Sequence, residues 1–227
     1  MALDEQAAGI GTLADPIRRA LYEYVTAQPA PVGREEAAAA VEIPGHKANF
    51  HLDRLVDEGL LEVEYRRLTG KTGPGAGRPA KLYRRSDREW SVSLPARRYD
   101  LVGHILAAGV ERAQRNQVAV GDALHAAALD EGVAVGAAGR SDDGTATLSD
   151  VLTRQGYEPR TEDDVLVLAN CPFDSLAREH TALVCGLNQS FVQGVAAGLG
   201  DDVEACLEPE EGLCCVKVRR TAPTGGR

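Results

Sequence analysis

The feature that most constrains this chain is a series of three short helical patterns followed by two strand patterns that flank a glycine-rich loop. Asp15-Pro16 predicts the start of the first helix, because Asp is a favoured N-cap and Pro suits the first helical position. Apolar residues then recur at the spacing of one helix face until Pro29. We expect a second helix over 34–41 and a third over His46–Glu58, which Gly59 ends with a left-handed cap.

The segment after the third helix predicts a β-hairpin. Leu60 to Arg67 alternates apolar and polar residues, which is typical of a strand with one buried face. Gly70 to Pro79 contains four glycines and predicts a loop, after which Lys81 begins a return strand. Three helices followed by a hairpin are the plan of a winged helix-turn-helix, which we expect over residues 1–95 as a DNA-binding domain.

The third helix is the predicted recognition helix of this fold. Ala48, Leu52 and Leu55 share one face, and we expect that face to pack in the core. The side chains predicted to face DNA are His46, Lys47, Asn49, Phe50 and Arg54. Asn pairs with adenine in the major groove, Lys and His reach guanine acceptors or phosphates, and Phe can contact a thymine methyl group. This face is therefore predicted to contact base edges of double-stranded operator DNA.

The hairpin carries a cluster of basic residues in a chain whose formal net charge is −9. Residues 1–100 hold 15 Lys or Arg and 15 Asp or Glu, so the acidic excess lies in the remainder of the chain. Between residues 66 and 85 there are seven basic residues and no acidic one, which is an electrostatic footprint for phosphates. The predicted phosphate contacts are Arg66, Arg67, Lys71, Lys81 and Arg84, and Arg78 at the tip is predicted to enter the minor groove.

The second half of the sequence predicts a helical segment followed by a mixed domain. Residues 96–135 show helical periodicity, beginning with the helix Tyr99–Gln114, and glycines over 136–144 predict a linker. A single winged helix makes few base contacts, so we expect Tyr99–Gln114 to form a homodimer that contacts two half-sites. The alternative is that this helix packs on the winged-helix domain. Over 145–220 the order α-β-β-α-β-β predicts a sensor domain, and the fold class of the whole chain is α+β.

Cysteine usage and missing motifs narrow the class of function. All five cysteines lie in the last quarter of the chain, and the N-terminus lacks the layout of a signal peptide. No apolar run approaches the roughly 20 residues of a membrane span. We therefore expect a cytoplasmic protein without a membrane segment or a disulfide framework. An enzyme is not predicted, because the sequence contains no GxSxG, HExxH or CxxC motif.

Three segments of the first half carry a resemblance to a known family. Leu13–Arg19 and Asn49–Leu61 resemble bacterial ArsR-type winged-helix regulators. Thr72–Tyr83 narrows the resemblance to the branch that includes the SufR regulators of iron–sulfur cluster assembly. The resemblance implies a DNA-binding transcriptional regulator and covers most of the chain.

The cysteine pattern is similar to the C-terminal half of the same branch. Asn170–Phe173 is followed by Cys185 and by the late pair Cys214-Cys215. The resemblance implies a 4Fe–4S cluster held by Cys171, Cys185 and one of Cys214 or Cys215. It also implies that occupancy of this cluster controls DNA binding.

The chemistry of the thiols leaves several points open. If Cys214 and Cys215 lie in a strand, they point to opposite faces and only one reaches a shared site. Three thiolates leave one iron position for another ligand, for which His180 or a carboxylate is the candidate. Cys206 is expected to pack in the core. The alternatives are a small organic ligand or Zn²⁺ in the same domain, or an enzyme or partner-binding module that uses the winged helix only for protein contacts.

Overall fold

The computed structural model describes residues 3–67, 79–140 and 145–220. The chain forms two compact units, Met1–Val92 and Ser93–Arg227. Both combine helices with a small sheet, so the expected mixed fold class is confirmed. Lys71 and Arg78 of the basic loop lie outside the described residues, and their contacts with DNA remain predictions.

The described residues of the first unit form four helices and a three-stranded sheet. Its elements are α1 (Leu3–Thr12), α2 (Pro16–Ala27), β1 (Val32–Gly33), α3 (Arg34–Ala40), α4 (Gly45–Asp57), β2 (Leu61–Arg66) and β3 (Ala80–Arg85). The strand order is β1-β3-β2, and both pairings are antiparallel. Helix α2 begins as predicted, because the Asp15 carboxylate accepts hydrogen bonds from the backbone N–H groups of Ile17 and Arg18, both at 2.9 Å.

Helix α4 packs its apolar face into the core of this unit. Ala48, Leu52 and Leu55 are completely buried, as the sequence predicts. Gly59 follows the helix with φ of +73°, which a glycine adopts without strain, and the chain then turns directly into β2. The structure thereby fixes the opposite face of α4 at the surface, next to the hairpin of β2 and β3.

Over residues 93–140 and 145–220, the second unit forms five helices and a four-stranded antiparallel sheet. Its elements are α5 (Tyr99–Asn116), α6 (Val120–Gly139), α7 (Leu148–Arg154), β4 (Pro159–Glu162), β5 (Val165–Leu168), α8 (Asp174–Glu179), α9 (Thr181–Leu199), β6 (Val203–Leu207) and β7 (Val216–Arg220). The strand order is β4-β5-β7-β6. Large buried side chains, including Tyr157, Phe173 and Phe191, fill the core of this unit.

Helix α6 is longer than the sequence predicts. A linker is expected from Gly136 onward, yet the helix continues to Gly139. A Cβ atom on Gly132 or Gly136 would come closer than 3.0 Å to the backbone of α9, and the same holds in reverse for Gly194 and Gly198 against α6. These glycines are therefore used for close helix packing rather than for a turn, which is why their presence misleads a prediction based on helix breakers.

Helix α9 bears on the expectation that the chain has no membrane segment. It is 19 residues long with a mean hydropathy of 1.2, and so it is long and apolar enough to cross a membrane by length and composition. However, 61% of this window is buried inside the unit, and core helices of soluble proteins pass the same test. The feature is weak support for a membrane span.

Candidate functional site

The exposed face of α4 is the first candidate site. His46, Lys47 and Arg54 are exposed there, and Phe50 has 66% of its surface exposed. An aromatic ring of this exposure on a short helix is unusual for a side chain that serves only the fold. A shallow depression on this face is lined by His46, Asn49, Phe50, Asp53, Arg54 and Asp57. The structure thus brings together all five predicted base-contacting side chains on one helix.

Asp53 is the centre of a hydrogen-bond network that joins this face to the hairpin. Its Oδ2 atom accepts a hydrogen bond from Nδ2 of Asn49 at 3.0 Å. Its Oδ1 atom accepts from Nζ of Lys81 at 2.5 Å and from the hydroxyl of Tyr83 at 3.1 Å. One carboxylate therefore ties two of the predicted DNA contacts to each other, across the boundary between α4 and β3.

Several of the predicted phosphate-binding side chains are paired with acidic neighbours. Arg66 contacts Glu64 at 2.7 Å, and Arg84 forms a short ion pair with Glu62 across the hairpin. Arg54 contacts Glu58 one helical turn away at 2.5 Å. Exposed pairs of this kind are worth only about 0–1 kcal/mol, so a phosphate can replace the carboxylate at low cost.

Two other predicted contacts carry uncompensated charge. Among the described residues, Lys47 and Arg67 form no ion pair, and both are exposed. Lys47 lies in the first turn of α4 and Arg67 follows the last residue of β2. Because no described residue neutralises their positive charge, these two side chains are available to attract a phosphate backbone.

The thiols of the second unit form the second candidate site. Cys171 lies between β5 and α8, Cys185 lies in α9, and Cys214-Cys215 immediately precede β7. The side chains of Cys171 and Cys214, of Cys214 and Cys215, and of Cys215 and Cys185 lie within hydrogen-bonding reach of each other. Four thiols from three separate parts of the chain therefore meet in one chain of hydrogen bonds.

The position of the cysteine pair differs from the expectation for a strand. The strand β7 begins only at Val216, so Cys214 and Cys215 are not bound by the alternation of a sheet. Both thiols take part in the same cluster of side chains, Cys214 toward Cys171 and Cys215 toward Cys185. Cys206 lies apart from them in β6 and is only half-buried, rather than in the core as expected.

The surroundings of the thiols keep them protonated. The hydrogen bond to Cys214 and burial both raise the pKa of Cys171 far above its ordinary value. For Cys214, the hydrogen bond with Cys171 lowers the pKa, but the bond with Cys215 and burial outweigh it and raise the pKa to about 11. The Phe173 amide hydrogen-bonds to the Cys171 sulfur and lowers the pKa of this thiol, but the bond with Cys214 and burial outweigh it.

A buried polar pair supports Cys214. The hydroxyl of Tyr157 donates to Oδ1 of Asn188 at 2.5 Å, and Nδ2 of Asn188 donates to the sulfur of Cys214 at 3.2 Å. Tyr157 and Asn188 each have only 1% of their surface exposed. Buried polar groups are costly unless they are satisfied, so this pair fixes the orientation of Cys214.

The donor chemistry suits a soft metal ion or an iron–sulfur cluster, for which thiolates are the natural ligands. In the part of the chain that the structure describes, however, no three His, Cys, Asp or Glu side chains have the spacing of a metal site. The sulfurs hydrogen-bond to each other instead, so binding would require loss of the thiol protons and separation of the sulfurs. His180 is exposed at the junction of α8 and α9 and, within the same described residues, forms no hydrogen bond with a thiol.

The loop that carries Cys171 is tied to the segment with which the second unit begins. Arg97 donates to Oδ1 of Asn170 at 2.6 Å, and Nδ2 of Asn170 donates to the carbonyl of Ala96 at 3.1 Å. The backbone N–H of Arg98 donates to the carbonyl of Pro172 at 3.1 Å. The residues on both sides of Cys171 therefore hold the segment that connects directly to Val92.

Comparison with known proteins identifies the first unit only. Residues 13–64 match the family model described as a Helix-turn-helix domain. This match spans α2 to α4 and most of β2, and it supports a DNA-binding transcriptional regulator rather than an enzyme. No curated protein and no solved structure matches the chain. The thiols lie outside the matched residues, so the resemblance to SufR regulators is not tested by it.

The acidic partners of the site are the residues that sequence reasoning misses. The positions of Asn49 and Asp53, four residues apart in a helix, do indicate that their side chains can meet. The pairing of Asp53 with Lys81 and Tyr83 spans 28 and 30 residues and depends on the register of β3, which the sequence does not reveal. The basic stripe is also partly neutralised by Glu64, two residues before Arg66 in the same strand, and by Glu62, which reaches Arg84 from the neighbouring strand.

Proposed function

We propose that this chain is a cytoplasmic winged helix-turn-helix transcriptional regulator that binds operator DNA as a homodimer. The observation that carries the proposal is the exposed face of α4, which lies within a matched helix-turn-helix and next to a basic hairpin. A helix with an exposed face of this kind fits the major groove, and the hairpin acts as the wing that contacts the phosphate backbone. Dimerisation through α5, together with its neighbours in the second unit, would supply the second half-site.

Selection from a random duplex library, followed by titration of the enriched site, tests the DNA-binding proposal. We expect a defined enriched sequence and binding that weakens steeply with salt. Lys47→Ala should lower affinity for all sequences and reduce the slope of log K against log salt by about 0.9, since one phosphate contact is lost. Arg160→Ala, an exposed arginine of the second unit, is the matched control and should leave both quantities unchanged. Lack of any enriched sequence would contradict the proposal.

We further propose that the four thiols of Cys171, Cys185, Cys214 and Cys215 bind an iron–sulfur cluster and that its state controls DNA affinity. When bound, a cluster supplies a redox-sensitive or labile group at this position. The chain's own part is to release the thiol protons, to orient Cys214 through Asn188, and to hold the partly buried thiols of Cys171 and Cys215 and the buried thiol of Cys185 close to it. The bonds of Asn170 and Arg97 then offer a route from the Cys171 loop to the connecting segment.

Zn²⁺ is the second candidate for the same thiols, because four cysteine sulfurs match the ligand set of a structural zinc site. Anaerobic purification with analysis of iron, zinc and acid-labile sulfide separates the two. Iron and sulfide in similar amounts, with visible absorption, support a cluster, whereas zinc without sulfide supports a zinc site. A colourless, metal-free protein whose DNA affinity does not respond to added iron and sulfide or to zinc would exclude both and leave the DNA-binding proposal intact.

A further inference from the structure

Resting on the proposed DNA-binding function, we propose that Asp53 determines base specificity. It holds the amide nitrogen of Asn49, so that Asn49 presents its carbonyl oxygen to the major groove and selects a base that donates a hydrogen bond there. Asp53 is thus a positioning residue, which acts on the base edge through Asn49.

The orientation of the Asn49 amide follows from chemistry as well as from geometry. The bond to Asp53 measures 3.0 Å, and an ionised carboxylate can only accept hydrogen bonds. The NH₂ group of Asn49 must therefore be the end that faces Asp53. Its carbonyl oxygen is left as the end available to a ligand, on the face that also carries His46 and Phe50.

The carboxylate of Asp53 is itself held in place from the hairpin. Lys81 and Tyr83 both donate to its Oδ1 atom, at 2.5 Å and 3.1 Å, while its Oδ2 atom accepts a hydrogen bond from Asn49. Tyr83 is buried with only 1% of its surface exposed, so its hydroxyl is fixed by the core. Rotation of Asp53 away from Asn49 would break bonds to two side chains of β3, and the amide of Asn49 is therefore constrained before any DNA binds.

This constraint changes what Asn49 can recognise. A free Asn pairs with adenine through two hydrogen bonds, one donated to N7 and one accepted from N6. With one amide N–H engaged by Asp53, Asn49 keeps its carbonyl oxygen and one further N–H, and the fixed carbonyl oxygen suits a base that donates there, N6 of adenine or N4 of cytosine. Guanine and thymine present acceptors at O6 and O4, and these would face both the Asn49 oxygen and the negative charge of Asp53. We expect discrimination of roughly five- to tenfold at one position of each half-site, the range of one hydrogen bond.

Selection from a random duplex library with the full-length protein tests this inference. The wild type should enrich adenine or cytosine at one position per half-site. Asp53→Asn is nearly isosteric and frees the Asn49 amide, so the preference at that position should weaken roughly five- to tenfold and guanine or thymine should appear. Asn49→Ala should lose the preference at the same position. Tyr83→Phe removes one of the bonds that hold Asp53 and should weaken the preference less than Asp53→Asn does, whereas Arg160→Ala, an exposed residue of the second unit, is the control that keeps the preference.

The outcomes separate failure of this inference from failure of the proposed function. A wild-type protein that enriches no sequence overturns both. If the wild type enriches guanine or thymine at every contacted position, the role of Asp53 is overturned and the DNA-binding proposal stands. The same holds if Asp53→Asn and Asn49→Ala keep the base preference of the wild type. Thermal unfolding of each variant identifies any change that comes from loss of the fold, and Asn49→Ala, which removes a half-buried surface side chain, provides the test if Asp53→Asn does not fold.

Discussion

At the scale of single residues, the thiols of the second unit show how burial and hydrogen bonding decide the state of a reactive group. Cys214 is buried and lies within hydrogen-bonding reach of Cys171 and Cys215. These surroundings favour the neutral thiol over the thiolate. The same sulfur accepts a bond from Asn188, which is a partner for a negative sulfur. The thiols are therefore protonated, and a metal ion or cluster that binds them would have to displace these protons.

The raised pKa of Cys214 predicts a loss of stability at high pH in the metal-free protein. A thiol whose pKa is about 11 in the folded chain and 9.0 in the unfolded chain stabilises the fold below pH 9. This contribution is lost as the pH rises from 9 to 11, and we expect it to be roughly 1–3 kcal/mol. Urea unfolding at pH 7, 9 and 11 measures it, and Cys214→Ala should show a smaller fall over the same interval. Equal falls in both proteins would contradict the prediction.

At the scale of elements, the packing of α6 against α9 depends on paired glycines. Gly132 and Gly136 of α6 face Gly194 and Gly198 of α9 so closely that no Cβ atom fits between the backbones. Such contact gives dense packing, in which an added methyl group has no room. The two helices are therefore fixed relative to each other within the second unit, and Cys185 in α9 is placed by this contact.

Replacement of one of these glycines should reverse the usual effect of alanine in a helix. Gly136→Ala is expected to lower the free energy of unfolding by about 1–3 kcal/mol, because the methyl group overpacks the contact with α9. Gly103→Ala in α5 is the matched control, since no atom lies within 4 Å of its added Cβ. There the intrinsic preference of alanine should raise stability by about 0.5–1 kcal/mol. Denaturant unfolding of both variants measures the free energy of unfolding. A change of the same sign in both variants would contradict the prediction.

The elements also show which parts of the structure the sequence predicts. Local signals were sufficient for α2, whose Asp15 cap and buried stripe are seen as expected, and for the left-handed turn at Gly59. The end of α6 was not predictable, because glycine as a breaker and glycine as a packing surface look the same in one chain. The meeting of Cys171 with Cys214 depends on the pairing of β5 with β7, which is a property of the folded sheet.

At the scale of the whole molecule, the first residues of the second unit are bonded to the loop that carries Cys171. The second unit begins with residues 93–98, and their bonds to Asn170 and Pro172 lie on either side of Cys171. Arg97 is only partly exposed and also approaches Asp174 at 3.6 Å. The Cys171 loop and the first residues after Val92 are therefore joined by direct hydrogen bonds within the second unit.

Loss of the bond between Arg97 and Asn170 should reduce the effect of the metal on DNA affinity more than it reduces DNA binding itself. In the proposed regulator, Arg97→Ala is expected to bring the DNA affinities of the metal-loaded and metal-free forms at least severalfold closer together, because the loop loses its bond to the connecting segment. The metal content should stay that of the wild type, since no sulfur is changed. Titration of an enriched duplex with both forms measures the ratio, and Arg160→Ala is the control. An unchanged ratio in Arg97→Ala would contradict the coupling.

One carboxylate shared by a helix and a hairpin also limits how this regulator can diversify. A descendant that replaces Asp53 to acquire another target sequence leaves the Lys81 amine and the Tyr83 hydroxyl without their partner. New target DNA sequences within the lineage should therefore arise through joint changes at positions 49, 53, 81 and 83. Duplicated copies of the protein that keep Asp53 should continue to compete for overlapping promoters.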